Sequence, residues 1–82
     1  MTRDEMLSEL KEFVGKELLD GRDMGLNEHT PLLEWGVIDS LSVAELLGFT
    51  SERFGIDVPQ SDVTPENLKD LDAYASMLMR LV

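Results

Sequence analysis

The sequence predicts an all-α fold: a small antiparallel bundle of three main helices and one short helix, with a long first loop. Three observations carry this expectation. Apolar residues recur at three- and four-residue steps in three separate stretches. Each stretch opens on a residue suited to capping a helix, Thr2, the Asp39-Ser40 pair and Asp70. The 82 residues are 43% hydrophobic and contain no cysteine, so they suffice for one domain (residues 1–82) with a thin core and without disulfides or thiolate metal sites.

The first helix starts at Thr2, which with Glu5 has the spacing of a capping box, and it ends near Leu19. Met6, Leu7, Leu10, Phe13, Val14 and Leu18 form its core stripe, while Glu5, Glu9, Glu12 and Lys16 face outward. Glu12 and Lys16 are spaced for an exposed ion pair worth about 0.2–0.5 kcal/mol. The segment Asp20 to Gly25 breaks the helix and opens a loop that lasts until Asp39. Leu26, Leu32, Leu33, Trp35, Val37 and Ile38 are too apolar to be left in water, so this loop is expected to be anchored to the core. Pro31 holds Thr30 extended, and Gly36 suits a positive φ before the turn that follows. The acidic Asp20 to Gly25 segment does not fit a calcium loop. Counted from Asp20, the third, fifth and twelfth positions are Arg22, Met24 and Pro31, none of which offers a side-chain carboxylate.

The second helix runs from about Ser40 to Phe54 and stops before Gly55, a natural residue for the left-handed end of a helix. Val43, Leu46, Leu47, Thr50 and Phe54 should face the core, with the Thr50 hydroxyl bonded back to the Leu46 carbonyl. Leu41, Ala44, Glu45, Gly48 and Glu52 fall on the other side. Leu41 has no core reason to be apolar there, and Gly48 costs roughly 1 kcal/mol of helix stability relative to Ala. After Gly55, Ile56 to Pro59 is extended, with Ser61 and Asp62 as capping residues beyond it. Pro65 suits the first position of a short helix near Leu68. Val58 and Val63 are placed to flank a chain lying along the bundle. The last helix is capped by Asp70 and runs to the C-terminus. Its core stripe is Leu71, Tyr74, Ala75, Leu78, Leu81 and Val82, with Met77 and Met79 as filler and partly exposed surface.

The net charge of −10 argues against nucleic acid and anionic membranes as partners and suits basic patches on other proteins. No secretory signal or membrane-length apolar run is visible, so a cytoplasmic monomer is expected.

The chemistry concentrates in Gly36-Val37-Ile38-Asp39-Ser40-Leu41. Ser40 stands in the first turn of a helix, where unpaired N–H groups and the positive dipole end favour a phosphate ester. Taken alone, Asp39-Ser40 is also ordinary helix capping. A nucleophilic serine needs a positioned base. The sole histidine, His29, is a loop residue eleven positions upstream, and the flanks are not Gly-x-Ser-x-Gly, so hydrolase chemistry is not expected.

Gly36, Asp39, Ser40 and Leu41, together with the helix order over nearly the whole chain, resemble the acyl carrier and peptidyl carrier family. The resemblance implies a 4'-phosphopantetheine arm, derived from coenzyme A, on Ser40, with Asp39 and Leu41 flanking the attachment point. It also implies a non-catalytic chain that needs no metal. The second helix becomes the recognition face, through Leu41, Ala44, Glu45, Gly48 and Glu52. The implied partners are a phosphopantetheinyl transferase, an adenylating ligase or acyltransferase, and a downstream synthase or transferase. Two residues, Val37 and Ile38, separate Gly36 from Asp39, where fatty-acid carriers typically have one. That spacing, and Trp35 before the glycine, are more similar to D-alanyl carriers and to discrete carriers of peptide and polyketide pathways. Carriage for fatty-acid synthesis is the first alternative. An unmodified acidic helical interaction module is the alternative of another class.

Overall fold

The computed structural model describes residues 2–19 and 25–82. It is all-helical: α1 (Arg3–Phe13), α2 (Ser40–Phe54), α3 (Pro65–Leu68) and α4 (Leu71–Leu81), with one 3-10 turn at Gln60–Asp62. The calcium question falls on residues 20–24, outside the described ones.

Local chemistry sets the helix ends. The Glu5 amide donates to Thr2 Oγ1 and the Thr2 amide to Glu5 Oε1, completing the capping box of α1. Past Phe13 the helix widens into a π-helical turn, Val14–Leu18, in which the Leu19 amide reaches back to the Val14 carbonyl at 3.0 Å. Gly55 ends α2 in the left-handed conformation, φ 67°. Asp70 caps α4, accepting from the Ala73 amide at 2.7 Å. The cap of α3 is Thr64, and Ser61 and Asp62, which end the extended run, lie within the 3-10 turn.

The core joins Leu7 and Leu10 of α1, Leu46 of α2, Leu68 of α3 and Leu71, Tyr74 and Leu78 of α4, with Ile56 from the segment after α2. Val58 and Val63 pack partly buried against it. The first two helices run antiparallel: Phe13 stacks on Phe49 with centroids 4.3 Å apart, and Glu9 pairs with Arg53. The Arg3 guanidinium pairs with the Asp72 carboxylate, holding its pKa below the usual range, and donates to Ser76 Oγ at 3.3 Å. The exposed Glu12–Lys16 pair forms as its spacing predicts, at 2.8 Å.

Four expected side-chain placements are corrected. Met77 is fully buried, because the inner face of α4 is wide enough to take it beside Tyr74 and Leu78. Val82 is 75% exposed, since it lies one residue past the end of α4. Leu33 and Trp35 face water, for a reason given below.

One polar contact crosses the core. Thr50 Oγ1 donates to the Leu46 carbonyl at 2.8 Å, as the sequence suggests, and lies 2.7 Å from Tyr74 Oη. With the threonine proton already used, the phenol is the donor between them. Burial pushes the Tyr74 pKa up, partly offset because the Thr50 hydroxyl can turn to donate to the phenolate. Ionisation is therefore easier in the unfolded chain. The stability this creates is complete below the ordinary phenol pKa of about 10 and is lost as pH rises from there through the raised folded value. Tyr74→Phe should cost about 1 kcal/mol at neutral pH and flatten the alkaline decline. Denaturant melts at about pH 7 and about pH 11 check this, and equal slopes in both chains would refute it.

Candidate functional site

The long loop is tied down before it delivers α2. The Leu32 amide donates to the Lys69 carbonyl at 2.8 Å, and the Asp72 amide to the Glu28 carbonyl at 2.9 Å. Leu32, Val37 and Ile38 are buried, so these apolar pegs hold the entry to α2 from below. Between them the chain makes a tight turn: Trp35 N–H to Pro31 O at 3.0 Å, Gly36 N–H to Leu33 O at 3.2 Å and Val37 N–H to Leu32 O at 2.9 Å. Gly36 turns the corner with φ 69°. With Leu32 pointing inward, a turn this tight must aim Leu33 and Trp35 outward, and they are 41% and 51% exposed. An apolar run reads as anchored in the sequence; only the turn decides which of its members do the anchoring.

Asp39 is the helix cap. Its Oδ1 accepts from the Ser42 amide at 2.9 Å, and that bond lowers its pKa, keeping the carboxylate charged at the positive end of α2. This divides the labour within the Asp39-Ser40 pair. Asp39 satisfies the orphan amide, and the Ser40 hydroxyl makes no hydrogen bond among the described residues. Ser40 is exposed at the first position of the helix, and Leu41 beside it is 70% exposed. No side chain among the described residues is hydrogen-bonded to Ser40 as a base would be. His29 is exposed in the loop turn, where its amide donates to Asn27 Oδ1 at 2.7 Å. The arrangement offers a hydroxyl to something arriving from outside rather than to a base within the chain.

The structure places Leu41, Ala44, Glu45, Gly48 and Glu52 together on the outer face of α2, all exposed. Leu46 and Thr50 are buried on the inner face, with Val43 and Phe54 packed partly buried beside them. A side chain at Gly48 would meet nothing within 4 Å, so no contact inside the chain requires a glycine there. No described helix is long and apolar enough to cross a membrane.

A family model for the phosphopantetheine attachment site matches residues 6–75, a span that contains the whole site. The chain is 26% identical over 74 residues to a probable acyl carrier protein, PigG, of Serratia sp. (strain ATCC 39006), covering 90% of this chain and 85% of that protein. A solved chain described as "Crystal structure of FAD-dependent dehydrogenase" superposes with a TM-score of 0.81 at 33% identity, over 85% of this chain and 99% of that one.

Proposed function

Because this chain belongs to the phosphopantetheine-attachment family, we propose that Ser40 is the attachment residue and that the chain serves as a discrete acyl or aminoacyl carrier. Proteins of this family bear 4'-phosphopantetheine, do not catalyse, and interact with phosphopantetheinyl transferases and biosynthetic enzymes. When bound, that group supplies a terminal thiol on which an acyl group is held as a thioester. The residues present fit it: an accessible hydroxyl without a competing hydrogen bond, at a helix N-terminus suited to a phosphate. The free Ser40 hydroxyl is the observation that carries the reading.

In the attachment step the Ser40 oxygen bonds to the pantetheine-bearing phosphorus of coenzyme A. The pyrophosphate P–O bond breaks, adenosine 3',5'-bisphosphate leaves with the electron pair, and the hydroxyl proton passes to the transferase. Asp39 keeps the first turn of α2 wound while this happens, and Val37 and Ile38 hold the hydroxyl at a fixed height above the core. Incubation with coenzyme A, magnesium and a broad-range phosphopantetheinyl transferase, followed by intact mass, tests this. A gain of one phosphopantetheine mass on the chain is expected. No gain would leave only an acidic interaction module.

The two-residue spacing from Gly36 to Asp39 supports a peptide or polyketide biosynthetic pathway, with loading by an adenylating ligase, over fatty-acid carriage, and D-alanyl carriage shares that spacing. The likeness to a solved chain described as "Crystal structure of FAD-dependent dehydrogenase" supports counting a flavin-dependent dehydrogenase among the downstream partners. We infer that the chain works in the cytoplasm, where coenzyme A is supplied.

The outer face of α2 is the surface we assign to partners, with Glu45 and Glu52 meeting basic groups and Gly48 admitting close approach. Gly48→Ala should stabilise the fold by up to about 1 kcal/mol, because the site is open. Gly48→Arg and Glu45→Lys should slow acyl transfer about tenfold, equivalent to about 1.4 kcal/mol, with unchanged circular dichroism. A collapsed spectrum in either would put those side chains in the core.

A further inference from the structure

The antiparallel helices α1 and α2 do not close completely against each other. Between them lies a cleft of about 390 Å3, lined from Glu9 to Glu17 on one side and by Phe49 and Arg53 on the other. Its apolar part is the stacked pair Phe13 and Phe49, both half-buried, with centroids 4.3 Å apart. Its rim is charged, and the two cations there are already engaged: Arg53 pairs with Glu9, and Lys16 with Glu12. Acids are left in excess. Glu17 stands on the rim, and Glu45 and Glu52 are the neighbours of Phe49 on the surface of α2. All three are exposed, and none forms a salt bridge among the described residues. Phenyl rings open to water in a groove forgo the burial that a third element would give them. The π-helical turn lies at the same place and carries Lys16 and Glu17; such turns are rare and recur at functional sites.

We infer that the cleft between α1 and α2 is a docking groove for a basic amphipathic helix of a partner protein. The length fits: Glu9 to Glu17 spans about 12 Å, roughly two helical turns, enough for two apolar side chains at three- or four-residue spacing. Those side chains cover Phe13 and Phe49, and lysines or arginines beside them meet Glu17, Glu45 and Glu52. The sign of the partner follows from the charges. An acidic helix would meet unpaired carboxylates on a chain of net charge −10, and so would a second copy of this chain. The groove also lies away from the serine end. Phe49 is nine residues from Ser40, about 13.5 Å along α2, so a helix in the cleft leaves Ser40 uncovered. The partner holds the chain while the serine end stays open to another enzyme. The inference does not depend on Ser40 being the attachment residue.

The test titrates the unmodified chain with a synthetic peptide of leucine and lysine, patterned for one apolar helix face and about four turns long, and with a shuffled peptide of the same composition. The patterned peptide should bind about tenfold more tightly than the shuffled one. It should shift the amide resonances of Phe13, Glu17 and Phe49 and leave those around Ser40 in place. Glu17→Lys, at an exposed position, should weaken binding about tenfold with an unchanged circular dichroism spectrum. Glu66→Lys makes the same change of charge on α3, away from the cleft, and should stay within about twofold of native. Equal affinities for the two peptides, shifts centred away from Phe13 and Phe49, or equal weakening in the two variants overturns the groove and leaves only the attraction of an acidic chain for any basic one. Self-association of the chain through the same resonances would give the cleft to a second copy and overturns it as well. A chain that binds the peptide but gains no mass from coenzyme A would keep the groove and lose the attachment at Ser40.

Discussion

A Ser40→Ala chain is expected to gain no mass from coenzyme A and transferase, while melting within about 0.5 kcal/mol of the native chain. Both halves follow from the same geometry. The hydroxyl is the proposed bond-forming atom, so its removal leaves nothing to modify. It is also exposed and without a hydrogen bond among the described residues, so its removal leaves no buried partner unsatisfied. Asp39→Ala should show the reverse pattern. It keeps the hydroxyl but removes the acceptor of the Ser42 amide, costing about 1 kcal/mol as lost caps do. Intact mass and thermal melts on the two variants separate attachment from capping. A mass gain that persists in Ser40→Ala would show that the arm is attached elsewhere.

Ending the chain at Tyr74 is expected to abolish the fold. The cut removes Ala75, Met77 and Leu78, each buried to 1% exposure or less, and Leu81 packed against them. Losing one buried Leu or Met side chain costs about 2–5 kcal/mol, and a small domain has only about 5–15 kcal/mol to lose. The far-UV spectrum of the truncated chain should be that of a coil. Leu78→Ala, a milder form of the same change, should melt cooperatively but earlier. A helical spectrum from the truncated chain would mean that α1 and α2 form a core without α4.

The helix ends were legible because their chemistry is local. Thr2 with Glu5, Asp39 before α2, Gly55 after it and Asp70 before α4 each act over three or four residues, and each stands where the sequence puts it. The outer face of α2 was legible for the same reason, since helical periodicity alone separates Leu41 and Glu45 from Leu46. Facing within the loop was not. Leu32 and Leu33 are the same residue type side by side, and only the amide of Leu32 reaching the Lys69 carbonyl decides which is buried. Tyr74 was readable as core, but its bond to Thr50 depends on how α2 and α4 cross. The site itself was half legible. The pair Asp39-Ser40 announces a helix start, yet which member caps and which stays free is settled by the extended backbone of Asp39, φ −130° and ψ −169°, which points its carboxylate at the Ser42 amide.

That same tether from Leu32 to Lys69 continues from the bond between the Ile38 amide and the Leu32 carbonyl, so the start of α2 and the segment preceding α4 are stitched side by side. A strain imposed on the serine end would therefore be felt first by its neighbour at the head of α4.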